Sequence, residues 1–330
     1  LDGEARGSWV HAWEEEARRA ERKGDLVTSS NLYGLARFPC ADELAKVRAG
    51  ERAASAYARH LEATGKGQRR VANVGTIGVP FLFAPGPRED APLVVLMGGI
   101  VSLKEQWGSF LSLGPRVGCA VAIADFPGVG ENRLRYSRAA SALYGAILDA
   151  VAERCNVRET LVVAPSFGGH LALLHAPIDA RLRKVVTVGA PLSHLFRDEA
   201  VHARLPSITR AALVQSARIA PAQLPAHLAT LALSEREIAD IGVQVTYVAA
   251  LRDEIIPEIE WRAAAASARS FRVYAFDDVH GAPNHLRETR LIILAELLQT
   301  AGRASLARLI TRLGRFAFDL RPLPSHPAFV

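Results

Sequence analysis

The chain has 330 residues, 49% of them hydrophobic and 22% charged, a globular balance that excludes a disordered or fibrous protein. Its length suits one large domain with additions. The net charge is +6, and nearly all the basic residues are arginine in an alanine-rich chain, a bias that a GC-rich genome produces without selection for charge.

The longest apolar run, residues 93–101, is broken by Gly98 and Gly99 and is too short to cross a bilayer, so no membrane partner is expected. The first 25 residues mix acids and bases (Glu14, Glu15, Glu16, Arg18, Arg19) with no signal-peptide core. Leu1 in place of methionine implies further residues before it. Cys40, Cys119 and Cys155 match no metal or redox spacing and read as reduced thiols of a cytoplasmic protein.

In chain order, residues 8–63 have helical spacing with breaks near Gly24 and Pro39, and Trp9, Trp13, Leu26, Leu32 and Tyr33 supply an apolar side. Residues 71–74 and 76–83 read as a β-hairpin turning near Gly75. Apolar runs then recur at 93–97, 119–124, 161–164 and 185–188, with helical segments near 105–113, at 137–154 and from Gly168 between them. That alternation predicts an α/β fold, a doubly wound and mostly parallel sheet covered on both faces.

The alternation stops at Pro191, and residues 191–240 show helical spacing and prolines but no strand. It resumes with strand 243–250, a helix at 257–268, strand 271–276 and a helix from about Asn284. The expected organisation is an N-terminal helical unit (1–68) associated with a lid, a core (69–190 and 241–315), an inserted helical cap (191–240) and a C-terminal tail (316–330) containing Pro322, Pro324 and Pro327. Arg308, Arg312 and Arg315 share one helix face, read as a solvated face. No zinc finger, ribonucleoprotein or helix-turn-helix pattern suggests nucleic-acid binding.

The chemistry concentrates in Leu161-Val-Val-Ala-Pro-Ser166-Phe-Gly-Gly-His170. Here a strand runs into a turn and then a helix, with serine at the turn. Such a nucleophile elbow holds the serine in a strained conformation, so the residues two before and two after it must be small. Ala164 and Gly168 meet that demand, alanine standing where glycine is usual. A small-x-Ser-x-Gly string alone arises often by chance. Its place at the end of an apolar strand in an alternating chain gives it meaning.

Serine needs a general base, and the base needs an orienting acid. In this architecture they follow in the order serine, acid, histidine, each beyond a strand. Asp253 follows strand 243–250, with Glu254 as its neighbour and rival and helix capping as its structural alternative. His280 follows strand 271–276 and is preferred to His285, which lies further on. Oxyanion donors are expected from the backbone N–H groups of Phe167 and Ile100, the latter in Gly98-Gly99-Ile100. Gly128-Val-Gly130 resembles a dinucleotide-loop fragment, but Pro127 and the missing third glycine argue against a cofactor. His11, His60, His194 and His202 have no ligand spacing, so neither metal nor cofactor is expected.

These residues carry a resemblance. Met97-Gly-Gly-Ile-Val-Ser-Leu-Lys-Glu105, Asp125-Phe-Pro-Gly-Val-Gly-Glu131, the Ser166 elbow, the segments around Asp253 and His280 and the N-terminal helices resemble one group of α/β hydrolases. That group includes the fermentation–respiration switch proteins, the dihydroxypseudooxynicotine hydrolase and the fungal yellowish-green heptaketide hydrolase. The similarity spans most of the chain. One departure is Val101, where the group commonly carries an aspartate.

The resemblance implies an α/β-hydrolase fold and a serine hydrolase with a Ser166–His280–Asp253 triad. It also implies a helical part that helps cover the site, and often a homodimer. The implied substrate is a hydrophobic acyl or polyketide-like small molecule, cleaved at a carbon–carbon bond of a 1,3-dicarbonyl or at an ester or thioester. Acyl transfer or cyclisation, and a non-catalytic hydrolase fold used for binding, are the other readings. His194, Arg197 and Asp198 are the candidate substrate contacts on the cap.

Overall fold

A computed structural model describes residue 5 and residues 7–323. Three helices open the chain: α1 (Trp9–Arg22), α2 (Leu26–Arg37) and α3 (Leu44–Thr64). Ser8 and Asp25 cap the first two through their side chains, and Gly65, with φ 64°, ends the third. The breaks fall where Gly24 and Pro39 place them. Trp9 departs from its expected apolar role: it is 51% exposed, and its indole N–H donates to the Leu35 carbonyl.

Eight strands follow: β1 (Gln68–Val74), β2 (Ile77–Ala84), β3 (Pro92–Met97), β4 (Ala120–Ala124), β5 (Asn156–Val163), β6 (Leu182–Val188), β7 (Gln244–Ala250) and β8 (Phe271–Phe276). They form one sheet in the order β1-β2-β4-β3-β5-β6-β7-β8. The β1–β2 and β2–β4 pairs are antiparallel, and every later pair is parallel. β5 begins at Asn156, ahead of its apolar run, so its first residues are polar and partly solvated.

The central strands are buried on both faces because successive side chains point to opposite sides. Leu93, Val95 and Met97 join one core cluster, and Val94 and Leu96 join another. Each such fully buried side chain stabilises the fold by about 1.5–3 kcal/mol. Between the strands run α4 (Phe110–Val117), α5 (Ala142–Val151) and α6 (Phe167–His175). Between β6 and β7 come α7 (His194–Arg197), α8 (Glu199–Arg204), α9 (Ser207–Ala217), α10 (Leu224–Leu231) and α11 (Glu235–Ala239). The chain finishes with α12 (Glu258–Ser267), α13 (Leu286–Thr300) and α14 (Ala304–Phe318).

Buried residues of α5, α6, α12 and the β6–β7 connection join the first cluster, and those of α4, with Tyr57 and Leu61 of α3, Ile293, Leu297 and Leu298 of α13 and Ala307 of α14, the second. Leu195, Phe196, Leu205, Leu213 and Leu224 are buried with the strand residues of the first cluster. The β6–β7 helices therefore share the core of the sheet. α14 continues to Phe318, inside the expected tail, and residues 324–330 of that tail lie outside the described residues.

Candidate active site

Ser166 sits where β5 turns into α6. Its backbone, at φ 54° and ψ −133°, is one of four non-glycine residues with positive φ among those described. A conformation of this kind costs of order 1–3 kcal/mol and persists only where the surroundings enforce it. Here the enforcement is visible. A Cβ on Gly168 would lie 2.5 Å from the Met97 carbonyl oxygen, and one on Gly169 would lie 2.1 Å from Thr187 Oγ1 and 2.7 Å from the Ala164 carbonyl oxygen. Only glycine lets α6 approach the sheet so closely.

His170 fixes the same helix further along. It is fully buried, one ring nitrogen 2.8 Å from the Tyr136 hydroxyl and the other 2.9 Å from the Leu231 carbonyl. Burial lowers its pKa to about 3, so the ring is neutral and ties α6 to α10.

His280 lies on the loop after β8, with Nε2 3.0 Å from Ser166 Oγ. Its Nδ1 is 2.8 Å from Asp253 Oδ2 and 3.0 Å from Oδ1. Nδ1 donates to the carboxylate, which leaves Nε2 as the acceptor facing the serine hydroxyl. Asp253 is held in turn by the N–H groups of Ile255 and Ile256, at 2.9 and 2.8 Å. Glu254, the rival acid, accepts instead from the His280 backbone N–H at 3.0 Å. His285 is engaged elsewhere: its Nδ1 lies 2.9 Å from Asp278, and its ring stacks on Phe276 with centroids 4.6 Å apart.

Gly189, just past β6, was not singled out from the sequence. Its φ is 61°, and a Cβ there would fall 3.0 Å from the His280 ring and 3.2 Å from Asp253 Oδ2. A glycine directly after a strand was the only available signal.

The loop after β3 runs beside the serine: a Cβ on Gly99 would lie 3.1 Å from Ser166 Cβ. Ile100 and Phe167 both line the cavity there, and neither backbone N–H has an acceptor in the chain among the described residues.

A buried charge cluster closes the far end of this loop. Lys104 Nζ lies 2.7 Å from Glu105, 2.9 Å from Asp125 and 2.8 Å from Glu131, and the Lys104 backbone N–H donates to Asp125 at 2.7 Å. Burial disfavours the ammonium, but the surrounding carboxylates outweigh it and keep it protonated. A Cβ on Gly130 would strike the Asp125 carboxylate at 2.5 Å, and one on Gly128 would strike the Ser216 backbone. Gly130 thus packs on the cluster, and Gly128 on the backbone of α9. From α2, the buried Arg37 donates to the Val101 carbonyl at 2.7 Å. The backbone at Val101 is therefore anchored by the N-terminal helices.

A cavity of about 910 Å³ opens over Ser166 and His280. Its walls come mainly from the β3 loop, α4 and α13, with Phe38, Ile208, Thr209 and Ile255 at other points. His194, Arg197 and Asp198 do not line it, against expectation. The His194 backbone N–H donates to the buried carboxylate of Glu260 at 2.6 Å, as do those of Leu192, Ser193 and Leu195. Arg197 donates to the Leu233 carbonyl at 3.1 Å, and Asp198 caps α8 through the Ala200 N–H. Glu260, on α12, thus fixes the backbone of residues 192–195, while Arg197 and Asp198 stay exposed. Among the described residues no cluster of three or more His, Cys, Asp or Glu side chains is placed to hold a metal, and no helix is long and apolar enough to cross a membrane.

The family profile described as "Esterase FrsA-like" matches residues 5–223. The chain belongs to the FrsA-like esterase family. Two solved structures of AbyA5 share 36% sequence identity with it, at TM-scores of 0.89 and 0.90. One matches 94% of this chain and 94% of its own, the other 95% and 91%. The 2,6-dihydroxy-pseudo-oxynicotine hydrolase has the same fold, with TM-score 0.72 and 19% identity over 95% of this chain and 89% of that one. No curated protein matches. This FrsA-like chain is a hydrolase of the α/β-hydrolase fold.

Proposed function

We propose that Ser166, His280 and Asp253 form a catalytic triad that hydrolyses an ester or thioester of a hydrophobic acyl substrate. The observation that carries this reading is the unbroken line of contacts Asp253–His280–Ser166, at 2.8 and 3.0 Å, ending on the strained serine. Asp253 holds the imidazole so that Nε2 is the acceptor. Nε2 takes the hydroxyl proton as Ser166 Oγ bonds to the substrate carbonyl carbon. The carbonyl oxygen becomes an oxyanion, to which the free N–H groups of Ile100 and Phe167 donate. The imidazolium then protonates the leaving oxygen or sulfur as its bond to carbon breaks, giving an acyl-enzyme. Water repeats the sequence in reverse roles, releasing the acid and restoring the serine.

The apolar cavity favours a hydrophobic acyl group over a small polar one. Phe38 from the N-terminal helices and Ile208 and Thr209 from the β6–β7 helices give both additions a share in covering the substrate. A fluorophosphonate probe should label the protein at Ser166, and labelling should vanish in Ser166→Ala. Turnover of an acyl nitrophenyl ester should fall about a thousandfold or more in that variant, with the fold retained. A folded Ser166→Ala protein with near-parental turnover would remove the assignment.

A further inference from the structure

The cavity is far from symmetric about Ser166. Along α13 it touches Leu286, Thr289, Arg290, Ile293, Leu294 and Leu297, all on one helix face. The last is eleven positions after the first, about 16 Å at the rise of an α-helix. Phe110 and Leu113 of α4 face this stripe, and Val163 and Val186 of the sheet form the floor. The volume holds roughly thirty water-sized groups, far beyond what an acetyl or propionyl ester fills.

Among the described wall residues there is no aspartate, glutamate or lysine, and Arg290 is the one arginine. It lies one turn along α13 from Leu286, is exposed, and has no carboxylate partner among the described residues. An unpaired guanidinium beside an apolar channel recognises an anion attached to a hydrocarbon.

Resting on the hydrolase reading above, we propose that the substrate is an elongated apolar compound bearing one acidic group. Its hydrocarbon part lies between α4 and α13 along the channel ending at Leu297, and its anionic oxygen pairs with Arg290. The scissile carbonyl sits at Ser166, at the channel mouth beside Gly281 and Leu286. The structure thereby gives the recognition of the large substrate group to α13 rather than to the helices between β6 and β7.

Binding tests this without turnover. In the full-length Ser166→Ala protein, decanoate and decan-1-ol are titrated calorimetrically below their aggregation concentrations. Decanoate should bind about tenfold or more tightly than the alcohol at low salt, the worth of one charge-assisted hydrogen bond. The gap should narrow as salt rises and close when Arg290→Gln is added, while Arg290→Lys restores part of it. Leu294→Trp, which fills the channel, should weaken both ligands. The salt series needs no second variant, so it decides the matter even if Arg290→Gln does not fold. Equal affinities, a gap that survives Arg290→Gln, or full binding in Leu294→Trp would each overturn the proposal. Loss of the proposal in this way leaves probe labelling of Ser166 intact, whereas failure of the triad reading abolishes labelling and leaves decanoate binding unaffected.

Discussion

Two histidines a few residues apart beyond β8 each pair with an aspartate. His280 meets Asp253 at 2.8 Å, and His285 meets Asp278 at 2.9 Å. Each imidazole presents Nδ1 to a buried carboxylate, and each acid is also held by backbone N–H groups: Ile255 and Ile256 for Asp253, Val279 and Asn284 for Asp278. The two differ on the far side of the ring. Nε2 of His280 reaches Ser166, whereas His285 lies flat on Phe276. An orienting acid is thus common to the proposed base and to its neighbour. What the second nitrogen faces separates them.

Breaking each pair should make the contrast quantitative. His280→Ala removes the base, and we expect a loss of at least about ten-thousandfold in kcat together with loss of fluorophosphonate labelling. His285→Ala should cost less than about tenfold in kcat while lowering stability by roughly 1–3 kcal/mol, because Asp278 loses a buried partner. Reversed phenotypes, read by ester turnover and urea unfolding, would transfer the base to His285.

Gly189→Ala probes the same pair from behind. A methyl group at φ 61°, 3.0 Å from the His280 ring, should displace the imidazole and reduce kcat about tenfold to a hundredfold, in keeping with the cost of misplacing a reacting group. Unchanged kcat in a folded variant would mean that the ring is free to shift without cost.

The smallest effect concerns acid. Burial raises the Asp278 pKa, but the bonds from His285, Val279 and Asn284 outweigh it and hold the carboxyl well below its usual range. A lowered folded-state pKa contributes stability above the unfolded value, near 4, that is lost as pH falls through the folded one. Stability measured by urea unfolding should therefore decline below about pH 4, and the decline should be shallower in Asp278→Asn. An identical slope in the two proteins would show that the pair does not respond to protonation.

Much of this was legible in the sequence, for definite reasons. Parallel strands buried on both faces leave continuous apolar runs such as residues 93–97, so the sheet and its order of use were readable. The small residues around Ser166 and the loops after β7 and β8 follow from the geometry of the elbow. The choice of His280 over His285 rested on position alone, His280 lying on the loop just past the strand and His285 further on, where the helix begins. The pocket was not legible. Leu286, Ile293, Leu294 and Leu297 repeat with the period of any core-facing helix, and nothing in that spacing distinguishes a wall from a core. Nor did position show that residues 194–198 turn away from the pocket: the N–H groups of residues 192–195 are claimed by Glu260, which sits on α12 beyond another strand. Arg37 and Lys104 likewise act through partners distant in sequence or folded around them.

The bond from Arg37 to Val101 bears on the order in which the chain is made. A nascent polypeptide emerges N-terminus first, so the opening helices exist before the loop they anchor. Ser166 follows, and Asp253 and His280 come later still, ahead of α13 and α14. On the proposed triad, a chain that ends before residue 280 carries the serine but lacks its base. On that reading, reactivity arrives only once β8 and the loop beyond it have been made. Truncated products of translation would be inert toward the cell's own esters.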